Sequence, residues 1–254
     1  MELSNRDKAE AIQNSIETET LAEIGLISPT SYRQHNPNVA TGLQAILGLH
    51  DQMPMDKVYT NVVRKFQDGD YGFVHVDYFL FEPTVAFDIH RFENGISVEH
   101  WDNLQTNPKK LNKSGRTMTD GKTKAKDHHK TEVNKALVKD FVQNVLINGQ
   151  IELVSNYFKG DELIQHNPDM GDGVQEFLNV LEQWDKDGKP QIYNEMHKVL
   201  GEGNFVLVLG EGSSKGEHVA FYDLYRIEDD KIVEHWDVIE AIPETAKRKN
   251  DNGK

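Results

Sequence analysis

Apolar side chains along this chain change their period twice, and the change comes at corresponding places in its two halves. Each half opens with helical spacing. In the second, Ala136, Leu137, Phe141, Val145 and Leu146 fall at helical spacing, predicting a helix over Thr131 to Leu153; the first predicts one over Asp7 to Ile27. A short helix follows in each half, Gly42 to Leu49 and Gly173 to Trp184, the latter with Val174, Phe177, Leu178 and Leu181 on one face. The pattern then turns to alternation and short apolar runs. It predicts strands over Val58–Phe66, Phe73–Phe79, Val85–Phe92 and Ile96–Leu104, mirrored by Ile192–Leu200, Phe205–Leu209, Val219–Ile227 and Lys231–Val238. Glu93-Asn94-Gly95 and Glu228-Asp229-Asp230 supply hairpin chemistry between the last two strands of each set. Helices followed by an antiparallel meander define an α+β domain in which a curved sheet wraps around helices.

The halves also repeat at the level of words. Gln34-His35-Asn36-Pro37 with Gly42 returns as Gln165-His166-Asn167-Pro168 with Gly173, and Val98-Glu99-His100-Trp101-Asp102 returns as Val233-Glu234-His235-Trp236-Asp237. Solenoid repeats run to roughly 20–50 residues, so a repeat this long is a duplicated domain. Between Gln105 and Thr131 the apolar periodicity stops, and Pro108, Gly115 and Gly121 stand among eight lysines and arginines. The expected organisation is therefore a first domain over 1–105, a basic polar linker over 106–131, a second domain over 132–243 and a polar tail over 244–254. The linker reads as a strap lying over acidic surface.

Composition narrows the chemistry. With no cysteine among 254 residues, disulfides, thiolate metal sites and thiol catalysis are excluded. A net charge of −14 argues against a nucleic-acid partner, whose phosphates require a basic stripe. No apolar run approaches the roughly 18 residues of a membrane span, and the charged opening Met1 to Lys8 offers no secretory core, so a cytoplasmic protein is expected. Histidine is plentiful, but no compact His-x-His set with further ligands appears, and no metal site is expected. His128 and His129 are adjacent and would splay apart in extended chain.

Alternation places Asp88 with Ala86 and His90 on one strand face, and Asp223 in the equivalent place. An acid inside an apolar strand is either paired or functional. On the next strand His100 shares a face with Asp102, and His235 with Asp237, while Trp101 and Trp236 point the other way, to packing or to an interface. Hairpin pairing brings these strands together, the arrangement of an acid–base set whose pKa values are pushed apart. His35 and His166 precede Asn-Pro, where helix is disfavoured, and are presented from a loop, to act or merely to cap the following helix. Each half also owns a private histidine: His75, sharing a face with Phe73 and Asp77, and His197, expected to share one with Tyr193 and Glu195. The second half, with His166, Tyr193, His197 and Asp223, has the fuller polar set among apolar residues, as a small-molecule pocket has.

The Gln-His-Asn-Pro segments, Gly115 to Gly121, His197 to Val206, Tyr222-Asp223-Leu224-Tyr225-Arg226 and Lys231 to Val238 resemble the SnoaL-like proteins predicted to catalyse aldol condensation. The resemblance covers both halves. It implies the cone-shaped α+β fold of the nuclear transport factor 2-like superfamily, here twice in tandem, with a curved, mostly antiparallel sheet and N-terminal helices enclosing a deep cavity. It implies polyketide-cyclase chemistry without metal or cofactor, in which an acid–base set removes a proton beside a carbonyl of a small hydrophobic molecule. It marks Asp223 as base and His197 and His166 as donors to the oxyanion, with Asp88 and His35 as first-half counterparts; Tyr193, His235, Asp237, His75, His100 and Asp102 would line the sites. The first half departs from the pattern, with Ile96-Ser97 for Lys231-Ile232 and Val63 in place of the histidine. A non-catalytic protein holding a small apolar ligand is the alternative use of such a cavity. Domains of this kind commonly pair through their sheets, which implies an intramolecular pseudo-dimer or a homo-oligomer.

Overall fold

A computed structural model describes residues 3–20 and 25–254. The chain divides into two units, one formed by Met1–Asn107 together with Ile242–Lys254, the other by Pro108–Ala241. Each unit is α+β, a five-stranded, mostly antiparallel sheet against helices.

In the first unit α1 (Asn5–Glu17) is capped by Ser4, whose hydroxyl accepts from the Asp7 amide, and it buries Ala9 and Ile12 against the sheet. The predicted helix extends further along the sequence; residues 21–24 lie outside the described residues. β1 (Arg33–Gln34), α2 (Leu43–His50), β2 (Tyr59–Asp68), β3 (Tyr71–Phe79), β4 (Pro83–Glu93) and β5 (Ile96–Thr106) follow. The sheet order is β1-β5-β4-β3-β2, antiparallel except for β1, which runs parallel to β5.

The second unit repeats this order with α3 (Thr131–Phe141), β6 (Ile164–Gln165), α4 (Val174–Lys186), β7 (Gln191–Glu202), β8 (Phe205–Ser214), β9 (Glu217–Glu228) and β10 (Lys231–Ala241), arranged β6-β10-β9-β8-β7. The helix predicted to run on from Thr131 stays α-helical only to Phe141 and then widens into a π-helical stretch over Val142–Ile147. That wider stretch lets Val142 and Val145 enter the core while Leu146 reaches a cavity wall. A 3₁₀ segment, Ile151–Asn156, follows it.

Alternation survives in the paired strands because one face meets the helices. Asp88 lies opposite Asp102 and His90 opposite His100; Asp223 lies opposite Asp237 and Tyr225 opposite His235. Asn94 and Gly95, like Asp229 and Asp230, adopt positive φ in the hairpin turns, the conformation such turns require. β8 reads as a continuous apolar run, and Phe205 to Leu209 are buried on both of its faces. Among the described residues no helix is long and apolar enough to cross a membrane.

The two-residue strands β1 and β6 have no strand signature in the sequence. They form where Gln-His-Asn-Pro passes the last strand of its own repeat, with Gln34 in register with His100 and Gln165 with His235.

Candidate active site

β9 and β10 of the second unit carry the site. His235 Nε2 lies 3.0 Å from Asp223 Oδ1, and the Tyr193 hydroxyl donates to both Asp223 oxygens at 3.1 and 3.2 Å. His235 Nδ1 is 3.0 Å from Gln165 Oε1. That amide oxygen also accepts from the backbone N–H groups of His166 and Asn167 at 2.9 and 3.0 Å, so it is an acceptor to all three. The His235 proton is thereby fixed on Nδ1, leaving Nε2 to share or exchange a proton with Asp223.

Asp237 differs from Asp223. Its Oδ2 accepts from Asn167 Nδ2 at 2.6 Å, and Asn167 is itself held by an Asx turn to the Asp169 amide. Its Oδ1 is buried and has no hydrogen-bond partner. Burial pushes the Asp237 carboxyl up to about 6; Asp223 adds to the rise, while His235 and the Asn167 bond oppose it. Burial alone would depress His235, but its bond to Asp223 and the charges of Asp223 and Asp237 hold it above its ordinary value. Burial and the same carboxylates lift the Tyr193 and Tyr225 phenols well above theirs, which keeps Tyr193 a donor.

Phe141, Leu146, Phe158, Met170 and Phe177 form an apolar wall facing Tyr193, His235 and Asp237. The space between them is about 10 Å³, roughly what a single water needs. Asp223 lies beneath this surface, fully buried, and Arg226 turns away from it to Glu234 and Glu228.

The first unit builds the same frame with different neighbours. His100 bridges Asp88 Oδ1 at 3.2 Å and Gln34 Oε1 at 3.1 Å, and Asn36 Nδ2 donates to Asp102 at 3.0 Å. Burial raises Asp88, partly offset by its bonds to His100 and Gln13. His90 stacks on His100 at 4.5 Å where the second unit has Tyr225 on His235, and burial and the His100 charge depress it well below its ordinary value. Asp102 Oδ1 faces the buried Lys254 ammonium at 3.6 Å.

His166 and His197, expected beside Asp223, are elsewhere. Extended chain turns His166 away from Gln165 onto the other side, where it stacks on Trp236 at 4.6 Å and bonds Glu234 at 3.0 Å and the Thr117 carbonyl at 2.9 Å. His166 and Arg226 outweigh burial and hold Glu234 below the usual carboxylate range. His35 repeats this with Trp101, Glu99 and the Gly253 carbonyl, and burial lowers its pKa. His197 does not share a face with Tyr193, because register breaks between Tyr193 and Glu195 and between Met196 and Lys198 interrupt alternation along β7. It sits one-third exposed between Glu195 and Glu211. His75 lies on the face away from Asp88, stacked on Phe87 and bonded to Arg64.

Gln165 and Asn167, with their counterparts Gln34 and Asn36, are the site residues that a search for titratable groups passes over. Their signal was the repeat of the whole Gln-His-Asn-Pro word, not of its histidine alone. Gly121, at φ +93°, packs so closely on Glu234, Trp236 and His166 that a Cβ would collide with them. Gly121→Ala is expected to destabilise the second unit by about 1–3 kcal/mol, read as a lower denaturation midpoint of Trp236 fluorescence.

Comparison with known families matches residues 138–235 to the SnoaL-like domain. This similarity lies wholly within the second unit. An NTF2-like protein of unknown function from Cytophaga hutchinsonii is 18% identical, with a TM-score of 0.34 over 47% of this chain and 95% of its own. An epoxide hydrolase from M. tuberculosis, described as LEH-like, is 19% identical, with a TM-score of 0.34 over 44% of this chain and 85% of its own. TsrD from Streptomyces laurentii is 16% identical, with a TM-score of 0.30 over 39% of this chain and 84% of its own. Comparison with curated proteins gave no match. In the second unit the matched segment holds Asp223, His235 and the apolar wall, and it ends two residues before Asp237.

Proposed function

We propose that the second unit is a cofactor-independent acid–base catalyst that moves a proton on a small apolar molecule bearing a carbonyl group. The observation that carries this reading is Asp237: one oxygen is tethered to Asn167 and the other is buried without a partner, and burial pushes its carboxyl up to about 6. A base of that strength is ionised at neutral pH yet binds a proton readily. In this reading Asp237 takes the proton beside the carbonyl and His235 supports the charge that develops on oxygen. Asp223 and Tyr193 act through His235, keeping its ring oriented and its proton supply in place. The apolar wall limits the substrate to a small molecule and keeps water from the enolate, and its side chains must part for entry because the resting space is water-sized.

The test is exchange of the α-protons of acetone and 2-butanone in D₂O, followed by proton NMR. Wild-type protein should accelerate exchange, with the rate rising as pH passes through about 6, and His235→Gln should slow it by about tenfold or more. No acceleration over buffer, with either ketone shown to bind, would sink the catalytic reading and leave a protein that holds a small apolar ligand.

A further inference from the structure

After β5 the chain reads Asn112-Lys113-Ser114-Gly115-Arg116, and after β10 it reads Asn250-Asp251-Asn252-Gly253-Lys254. The two segments share Asn-x-(Ser/Asn)-Gly-(Arg/Lys), and Gly115 and Gly253 share a left-handed conformation at φ +78° and +83°. Each Asn closes the same turn: Asn112 Oδ1 accepts from the Ser114 amide at 2.9 Å and Asn250 Oδ1 from the Asn252 amide at 3.0 Å. This is a third repeated word, one that the longer repeats overshadow.

Both segments grip a Gln-His-Asn loop by its backbone. Asn112 Nδ2 donates to the Gln165 carbonyl at 2.7 Å and to the Asn167 carbonyl at 3.3 Å. In the first unit two residues share the task, Asn250 donating to the Asn36 carbonyl at 2.7 Å and Asn252 to the Gln34 carbonyl at 2.8 Å. Those loops are the ones whose Gln and Asn side chains hold the acid–base groups, Gln165 on His235 and Asn167 on Asp237, Gln34 on His100 and Asn36 on Asp102.

The connectivity is crossed. The segment that leaves β5 clamps the loop belonging to β10, and the segment that leaves β10 clamps the loop belonging to β5. We propose that Asn112 and Asn250 are positioning residues through which each repeat's trailing arm sets the acid–base geometry of the other repeat. The proposal rests on the reading of His235 and Asp237 as the reacting groups for its functional meaning. Its geometry is tested without any substrate.

Asn112→Asp removes the two bonds donated to the Gln165 and Asn167 carbonyls, Asn250→Asp removes the one donated to the Asn36 carbonyl, and both keep the turn-closing oxygen. In the full chain with ¹⁵N-labelled histidine and ¹³C-labelled aspartate, Asn112→Asp should alter the His235 ring-nitrogen tautomer signals and move the Asp237 carboxyl titration, leaving His100 and Asp102 unchanged. Asn250→Asp should move the Asp102 signal and leave His235 and Asp237 unchanged, and Asn252→Asp, which removes the bond to the Gln34 carbonyl, should alter the His100 signals. A purely structural role would lower the denaturation midpoint without changing the His235 tautomer, whereas the charge added by Asp acts on the titrations alone; Asn112→Gln, which retains the donor group and adds no charge, should keep the His235 signals close to those of wild type. The proposal is overturned if Asn250→Asp moves the His235 or Asp237 signals instead of that of Asp102, or if Asn112→Asp leaves His235 unchanged. Absence of ketone exchange in wild-type protein, with these shifts present, would remove the catalytic reading and keep the crossed clamp.

Discussion

Asp237→Asn is expected to abolish most proton transfer while making the protein more stable at neutral pH. Removing a positioned base costs about 10²- to 10⁴-fold in rate, and the amide can still accept from Asn167 through Oδ1 in the place of Asp237 Oδ2. The stability gain follows from the direction of the pKa. In the folded chain burial raises this carboxyl from 3.8 to about 6, so the native state holds the proton more tightly than the unfolded one. Stability therefore falls as pH rises from about 4 to about 6, and above that the native state carries the full cost of an ionised buried acid. That span corresponds to about 3 kcal/mol. Urea unfolding at pH 7.5 should place Asp237→Asn above wild type by up to that amount, and the difference should shrink towards zero near pH 4. A variant less stable than wild type at pH 7.5 would mean that the free Asp237 oxygen contributes to folding and is not a group held in readiness for chemistry.

Asp223→Ala is expected to act in the opposite sense. Asp223 is fully buried, and its removal leaves His235 Nε2 and the Tyr193 hydroxyl without their acceptor. Breaking one side of a buried ion pair typically costs about 3–5 kcal/mol. Trp236 fluorescence in a Trp101→Phe, Trp184→Phe background would report the loss from the second unit alone. The pH dependence is specific. His235 is held above its ordinary value, so its pairing stabilises the fold below that value and the contribution is lost as pH rises through the folded pKa. The deficit of Asp223→Ala should be largest near pH 6 and smaller towards alkaline pH, and the His235 titration should fall once burial is no longer opposed. An unchanged His235 titration would show that Asp223 does not govern this imidazole.

These two carboxylates face each other across one hairpin, yet the geometry gives them different tasks. Asp223 has both oxygens engaged, whereas Asp237 has one buried oxygen without a partner. In the first unit the equivalent free oxygen, on Asp102, faces Lys254, and His90 replaces Tyr225 against the central histidine. The halves therefore share a frame but not an electrostatic state.

The α+β pattern, the duplication and the shared strand faces of Asp88, His100 and Asp102 and of Asp223, His235 and Asp237 could all be read along the chain. Each depends on a local period, and a period of two states which residues share a face as long as the strand is regular. The expected place of His197 failed where that condition fails, since two register breaks in β7 turn it from Tyr193. His35 and His166 could not be placed at all by period, because they follow two-residue strands that exist only through pairing with β5 and β10.

The chain's own periods thus carry the longer elements, the repeat and the inventory of acids and imidazoles. Which acid keeps an unpartnered oxygen is set by contacts between distant segments. That depends on where Gln165, Asn167 and Tyr193 spend their hydrogen bonds, and on an arm that travels to the loop of the other repeat. Hydrogen-bond partners far apart in sequence leave no period for a linear reading to detect, while burial, which sets the proton affinity of Asp237, is a property of the whole packed unit.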